Sequence, residues 1–266
     1  MQTMINDWLS SGIVAGFTSR AGGSSSIPYE SMNLGLHVGD NLADVLDNRE
    51  RMASAIAMVP ERFVYAQQVH GNRAKQVGKR EAGRGAFSYD DAIDDADGLV
   101  TSDAGVVLMT LAADCVPVLF AGFESHVIGT AHAGWRGATS GVISSTVTMM
   151  YEQGVSAKEL HVAIGPAIRG CCYEVDEPVA AAVRTAYHRF APEREPALRQ
   201  SLRSNARYML DIPTLIRDEL HALGVHTDHI QDVGVCTHCD PHYFSYRREN
   251  GQTGRQGAFI YIKQGD

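Results

Sequence analysis

The run Val106-Val107-Leu108-Met109-Thr110-Leu111 is apolar at almost every position. A strand of this kind has to be covered on both faces. It therefore excludes a sheet with one wet side and calls for other elements packed above and below. Strand-like and helix-like segments alternate along the rest of the chain, which points to the α/β (α+β) class without fixing a strand order. At 266 residues, 44% of them hydrophobic, the chain can bury a substantial core, and one domain spanning 1–266 is expected.

The chemistry gathers where such runs stop. The first ends in Ala112-Ala113-Asp114-Cys115-Val116-Pro117, and a second, Val127-Ile128-Gly129-Thr130-Ala131, ends in His132-Ala133-Gly134-Trp135-Arg136-Gly137. A strand expected over 63–69 delivers His70 within Gln67-Gln68-Val69-His70-Gly71-Asn72. Cys115, His132 and His70 thus each stand between an apolar strand and a turn marked by Gly or Pro, where a group is held firmly yet left accessible. Two imidazoles and one thiolate fill three corners of a zinc tetrahedron and leave the fourth open. From spacing alone the signal is weak, and an ordinary buried cysteine with two histidines satisfied by backbone partners is the favoured reading of the pattern. Asp114 reaches the same site as Cys115 only if the strand has ended or bulged, as Pro117 favours. Asp114 would then orient a ligand or move a proton, and otherwise it caps local N–H groups.

Helical spacing of Leu42, Val45, Leu46, Met52, Ala53 and Ile56 predicts a helix capped by Asp40. Arg49 falls on its apolar stripe, so its guanidinium needs an anion or must reach solvent. A helix is expected over 138–153, with Arg136 and the helix start favouring an anion and Trp135 available to stack on a planar substrate. Two further helices open at Asp176 with Pro178 and at Asp211 with Pro213, joined by an exposed connection over 191–205. The acidic run Asp90, Asp91, Asp94, Asp95 and Asp97 does not fit a calcium loop, because Ile93 stands where a ligand is needed, and it is expected to be a solvated turn. Cys236-Thr237-His238-Cys239 offers several ligands, but as a local set it is too compact to close one tetrahedron, so no second zinc site is expected there. Cys171 and Cys172 are expected to be buried thiols. Asn250-Gly251 predicts a hairpin between strands over 244–248 and 258–262, with Arg247, Arg248 and Arg255 around it.

A formal net charge of -8 argues against non-specific nucleic-acid binding. No segment is long and apolar enough to span a bilayer, and residues 1–8 lack the pattern of a secretory signal. Five cysteines at irregular positions fit a reducing compartment, so a cytoplasmic location is expected.

Taken together, Gln67 to Asn72, the Ala-Asp-Cys-Val-Pro-Val core within 112–120, and His132-Ala133-Gly134-Trp135-Arg136-Gly137 resemble the signatures of the multicopper polyphenol oxidase (laccase-domain) family. That family is also called the purine nucleoside phosphorylase or peptidoglycan-editing-factor family. Arg20-Ala21-Gly22-Gly23, the stretch from Met32 to Asp40, Gly165-Pro166-Ala167-Ile168 with Cys171-Cys172-Tyr173-Glu174-Val175, Phe244-Ser245-Tyr246-Arg247-Arg248 and Thr253-Gly254-Arg255 extend the resemblance along nearly the whole chain. It implies mixed β-sheets in layers flanked by helices. It also implies a zinc ion, or copper, on His70, Cys115 and His132, with Asp114 beside them in catalysis. Arg49, Asn33 and Arg136 are then expected to bind substrate or phosphate. The implied activity is phosphorolysis of adenosine, inosine or methylthioadenosine, with adenosine deamination at the same site. Three alternatives stand beside it. One is a copper-dependent phenol oxidase, for which one Cys/His/His set is too few centres. Another is a metal-free hydrolase of cell-wall precursors with Cys115 as nucleophile and His132 as base. The third is a nucleotide-sensing protein without turnover. The expected partners are a nucleoside and phosphate, with no nucleic acid or membrane, on a monomer or weak homodimer.

Overall fold

The computed structural model describes residues 2–204 and 206–264. The apolar run becomes β6 (Val107–Ala112), buried at every residue. It lies inside a five-stranded sheet with β1 (Gln2–Met4), β2 (Ile13–Thr18), β14 (Gln256–Ile262) and β3 (Phe63–Val64), in the order β1-β2-β14-β6-β3. A six-stranded sheet contains β13 (Ile230–Asp232), β9 (Leu160–Ile164), β7 (Val116–Gly122), β8 (Val127–Ala133), β5 (Gly98–Thr101) and β4 (Ala74–Gln76), in that order. Both sheets mix parallel and antiparallel pairs. A small third sheet joins β10 (Glu174–Asp176), β12 (Arg207–Leu210) and β11 (Leu198–Gln200).

Strand alternation distributes the core into three slabs. Leu108 of β6, Phe17 of β2 and Ile260 of β14 meet Leu119 of β7, Ile128 of β8 and Ala163 of β9 between the two large sheets. The intervening residues Val107, Met109 and Leu111 face outward onto Met52 and Ala53 of α1 (Leu42–Ala55) and onto Ile56, which caps its end. On the far side, Val118, Phe120 and Val162 pack against α3 (Val142–Glu152), α4 (Glu177–Phe190) and α5 (Ile212–Ala222). The order is helix, sheet, sheet, helices, which gives β6 the cover on both faces that its composition demands. No helix among the described residues is long and apolar enough to cross a membrane.

Several local expectations are corrected. Asn41, rather than Asp40, caps α1 by accepting the Ala43 N–H at 2.8 Å, while Asp40 accepts from the Asn33 amide at 2.9 Å. Asp211 does cap α5, accepting the Thr214 N–H at 3.0 Å. The helix expected over 138–153 is two pieces, α2 (Trp135–Ser140) and α3, separated by Gly141 at φ 96°. The six residues of α2 are too short to carry the anion argument. The strand expected over 63–69 ends at Val64, and the strand expected over 244–248 is a turn in which Glu249 and Gly251 donate to the carbonyls of Ser245 and Tyr246. Arg248 closes that turn by donating to the carbonyls of Thr237, His238, Asp240 and Tyr243. Within the expected connection over 191–205, β11 takes Leu198–Gln200, and Asn205 lies outside the described residues.

Candidate active site

The inter-sheet row of β8 runs Ile128, Thr130, His132. The Thr130 hydroxyl pairs with that of Thr110 across the gap at 2.7 Å, and His132 follows at the rim, where the two sheets part. In β7 the corresponding row runs Leu119 then Pro117, and Cys115 stands just before the strand begins. Val116 is in register with Ala133 and Pro117 with His132, so one step further along the ladder brings Cys115 opposite Gly134. A side chain there would intrude, since a Cβ on Gly134 would lie 2.9 Å from Cys115 Sγ and 3.0 Å from His70 Cδ2. The glycine makes room for both.

His70 arrives from the loop after β3, in the left-handed region at φ 59°. Its position is set from below by Asp97, whose side chain is fully buried. The Asp97 carboxylate accepts the backbone N–H groups of Val69, His70 and Gly71 at 3.2, 3.0 and 2.7 Å. It also faces His132 Nδ1 at 2.9 Å. One carboxylate therefore holds both the backbone that carries His70 and the ring of His132, whose other nitrogen is turned to Cys115. Gln68 adds a second anchor by exchanging hydrogen bonds with the backbone of Leu111 at 2.7 and 2.8 Å. The rings of His70 and His132 meet edge to face with centroids 4.8 Å apart.

One donor atom each from His70, Cys115 and His132 lies within 4.8 Å of the others. Burial alone would raise the Cys115 thiol, but His132 and His70 outweigh it and bring it down to about 6. Burial alone would lower His132, but the Cys115 thiolate and Asp97 raise it to about 9. The pair is thus a thiolate beside an imidazolium. The thiolate is the form that binds metal, and an arriving cation would displace the proton from His132. The borderline N₂S donor set, the carboxylate behind one histidine and the Gly134 clearance all fit a metal ion with an open position.

The three residues line a cavity of about 530 Å³, within the range typical of small-molecule sites. Trp135, Tyr173 and Tyr246 contribute rings to its walls, and Arg136, Arg247 and Arg255 contribute guanidinium groups. Arg136 stays exposed, with its guanidinium 4.4 Å from the centroid of the Trp135 ring. His37 also lines the cavity, and its pKa is lowered to about 4 by burial and by Arg255, so the ring is neutral near pH 7.

Two residues expected to bind substrate or phosphate have other tasks. Arg49 Nε and Nη2 donate to Leu34 O at 2.9 and 2.7 Å, Nη1 donates to the carbonyls of Gly85 and Ala86, and the guanidinium lies 3.9 Å from the Tyr65 ring centroid. Its charge is satisfied by carbonyls and an aromatic face. Asn33 is equally occupied: Oδ1 accepts from Gly35 N and Arg255 N at 2.9 Å, and its amide donates to Gly35 O and Asp40. Neither lines the cavity. Both shape the 33–37 loop that presents His37.

Asp114 sits in the turn between β6 and β7 at φ 93°, the irregularity that Pro117 implied. Its Oδ1 accepts the Thr237 hydroxyl at 2.6 Å and its Oδ2 accepts the Arg247 N–H at 2.7 Å. Asp114 lines the cavity, but both carboxylate oxygens are engaged in holding the loop that carries Tyr246 and Arg247.

Sequence reasoning missed Asp97 by reading it with the solvated acidic run. The signal was its place directly before the strand Gly98-Leu99-Val100-Thr101. His37, Tyr173, Tyr246 and Gln68 were not singled out as site residues either. Cys236 and Cys239 were read only against their immediate neighbours. Their sulfurs converge with those of Cys171 and Cys172 to within 4.8 Å, and Cys171 is exposed rather than buried.

The profile of the family described as multi-copper polyphenol oxidoreductase laccase matches residues 14–263. The chain belongs to this family. Among family relatives, it is 41% identical to purine nucleoside phosphorylase YlmD of Geobacillus stearothermophilus over 94% of this chain and 90% of that one. It is 37% identical to purine nucleoside phosphorylase YlmD of Bacillus subtilis, over 98% and 94%. The crystal structure of YlmD from Geobacillus stearothermophilus superposes with a TM-score of 0.91 at 40% identity, covering 95% of this chain and 93% of that one. The structure of the Bacillus licheniformis hypothetical protein YfiH gives 0.92 at 34% identity, covering 98% and 96%. The mixed α/β architecture of this laccase-like family is therefore that of the present chain.

Proposed function

We propose that this chain cleaves purine nucleosides by phosphorolysis, with zinc held by His70, Cys115 and His132. The observation that carries the reading is the convergence of those three donors in a cavity walled by both aromatic rings and arginines. Rings suit the purine face, and guanidinium forks suit phosphate. The names of the relatives support the same substrate class. Bound there, the metal would supply Lewis-acid polarisation of a ligand oxygen.

The remaining work falls to the protein. Arg136, Arg247 and Arg255 neutralise phosphate so that it can approach the sugar. Trp135, Tyr173 and Tyr246 hold the base, and neutral His37 offers a ring N–H to a ribose hydroxyl. A phosphate oxygen then bonds to ribose C1′ while the bond from C1′ to the base breaks. The base departs with the electron pair and takes up a proton. Orientation of the two reactants within one cavity supplies much of the rate. Asp97 contributes by holding His132 in one tautomer.

The test is chromatography of adenosine incubated with the protein, with and without phosphate, beside Cys115→Ala and a metal-stripped sample. Adenine released only with phosphate, and lost with both Cys115 and metal, supports the reading. Inosine formed without phosphate identifies deamination instead. The thiolate–imidazolium pair of Cys115 and His132 favours a second reading, a cysteine hydrolase in which the Cys115 thiolate is the nucleophile and His132, already holding the proton, gives it to the leaving group. Cleavage of cell-wall peptide precursors that persists in chelator would select it.

A further inference from the structure

Four of the five cysteines stand outside the active site. They come from two loops far apart in sequence. Ala167 N donates to Val235 O at 3.2 Å and Thr237 N to Ala167 O at 3.0 Å, which splices the loop after β9 to the segment after β13. A turn closed by Cys172 N and Tyr173 N on Arg169 O, both 2.9 Å, presents Cys171 and Cys172. A second turn, closed on Cys236 O by Cys239 N at 3.1 Å and Asp240 N at 2.9 Å, presents Cys236 and Cys239.

We propose that Cys171, Cys172, Cys236 and Cys239 form a second metal site, a tetrathiolate zinc centre that clamps these two loops together. The four sulfurs all lie within 4.8 Å of one another. Sulfurs around one zinc at about 2.3 Å stand about 3.8 Å apart in a tetrahedron. Cys171 and Cys239 are at 3.8 Å, Cys172 and Cys239 at 3.2 Å, and no pair exceeds 4.8 Å, so closure on an ion changes each separation by at most about 1 Å. The two residues between Cys236 and Cys239 match the short spacer of structural zinc turns. Backbone N–H groups of Arg169 and Cys239 point at Cys236 Sγ, the donors a metal-bound thiolate needs.

The surroundings suit the charge. Four thiolates and one zinc ion sum to a double negative charge, and Arg169 acts on Cys236 from one side. Arg199, Arg203, Arg247 and His238 line the cleft of about 640 Å³ that Cys171 and Cys172 share. Cys171 and Cys239 are exposed, which gives an ion entry from solvent. Closed ligation by four protein sulfurs leaves no position for substrate, so the role is structural. What it secures is the active-site wall, because Tyr173 follows Cys172 directly and Arg247 shares the loop tied through Thr237 to Asp114.

The test counts metal in full-length protein purified with zinc and freed of loose ion, so it is independent of any activity. Two zinc equivalents are expected in the wild type, one in Cys115→Ser and one in Cys172→Ser/Cys239→Ser. Cobalt replacing zinc should give strong sulfur-to-metal charge-transfer absorption that survives Cys115→Ser and disappears in the double variant. Should the double variant not fold, cobalt-loaded Cys115→Ser decides alone: sulfur-to-metal charge transfer retained there marks thiolate ligands that its active site, left with His70 and His132, cannot supply, and its absence would overturn the proposal. A single equivalent in the wild type, lost with Cys115, would overturn the proposal. So would four freely alkylated thiols, or a disulfide within the cluster, in zinc-loaded protein.

Discussion

Replacing Asp97 by Asn is the sharpest probe of how the site is built, because the substitution keeps shape and removes only charge and acceptors. The carboxylate serves two sides: Oδ1 faces His70 N and His132 Nδ1, and Oδ2 faces Val69 N and Gly71 N. Asn has one acceptor oxygen, so in either orientation its NH₂ must confront two donors. At about 1.5–3 kcal/mol for each hydrogen bond to a charged group, losing two costs about 3–6 kcal/mol. For a chain of this size that is a fall in melting temperature on the order of 10 °C. Metal affinity, measured by competition with a chromogenic chelator, should drop roughly 10–100-fold, as expected when the carboxylate behind a ligating histidine is lost. Wild-type stability together with unchanged metal affinity in Asp97→Asn would refute the argument that this carboxylate sets the His132 ring and the backbone that carries His70.

Gly134→Ala places a methyl 2.9 Å from Cys115 Sγ and 3.0 Å from His70 Cδ2; turnover should fall about a hundredfold, as a misplacement near 1 Å implies, with the loss visible in kcat as well as KM. Arg49→Met strands the carbonyls of Leu34, Gly85 and Ala86 and should cost about 3–5 kcal/mol in denaturant unfolding; an unaltered midpoint with a selectively raised KM for phosphate would return Arg49 to the binding machinery. Glu219 is buried with Oε2 unpartnered among the described residues, and burial pushes its carboxyl above the usual value against the opposing bonds from Ser144. A raised carboxyl favours the folded state fully below the unfolded value of about 4.3 and loses that contribution as pH climbs through the folded value. The stability gained by Glu219→Gln should therefore grow from acid to neutral pH, and a constant difference across that range would contradict it.

The layers and the rim of the site were legible because strands write their surroundings in period two. A run apolar at every residue but Thr110 had to become β6, and the residues that end such runs, Cys115 and His132, had to stand where the sheets open. What was not legible depends on groups that meet only in space. Asp97 looked like one more acid in a solvated run, since nothing local tells a carboxylate that it will receive three backbone N–H groups. Arg49 was correctly placed on a buried stripe, but carbonyls and an aromatic face satisfy a guanidinium as well as an anion does. The Cys236-Thr237-His238-Cys239 segment was incomplete by itself because the other pair of sulfurs arrives from Cys171-Cys172. The Asn250-Gly251 pair does turn the chain with both φ values positive, yet Arg248 holds the preceding segment to the 237–243 carbonyls, so no hairpin forms.

Phosphorus NMR of a mixture of adenosine, inorganic phosphate and zinc-loaded protein tests the central claim most directly. Phosphorolysis at the His70, Cys115 and His132 pocket requires the inorganic phosphate signal to convert into a sugar-phosphate signal, mole for mole with adenine released, and requires Cys115→Ala to abolish both. Adenine or inosine appearing while the phosphate signal stays constant, or no conversion by fully zinc-loaded protein, would contradict it.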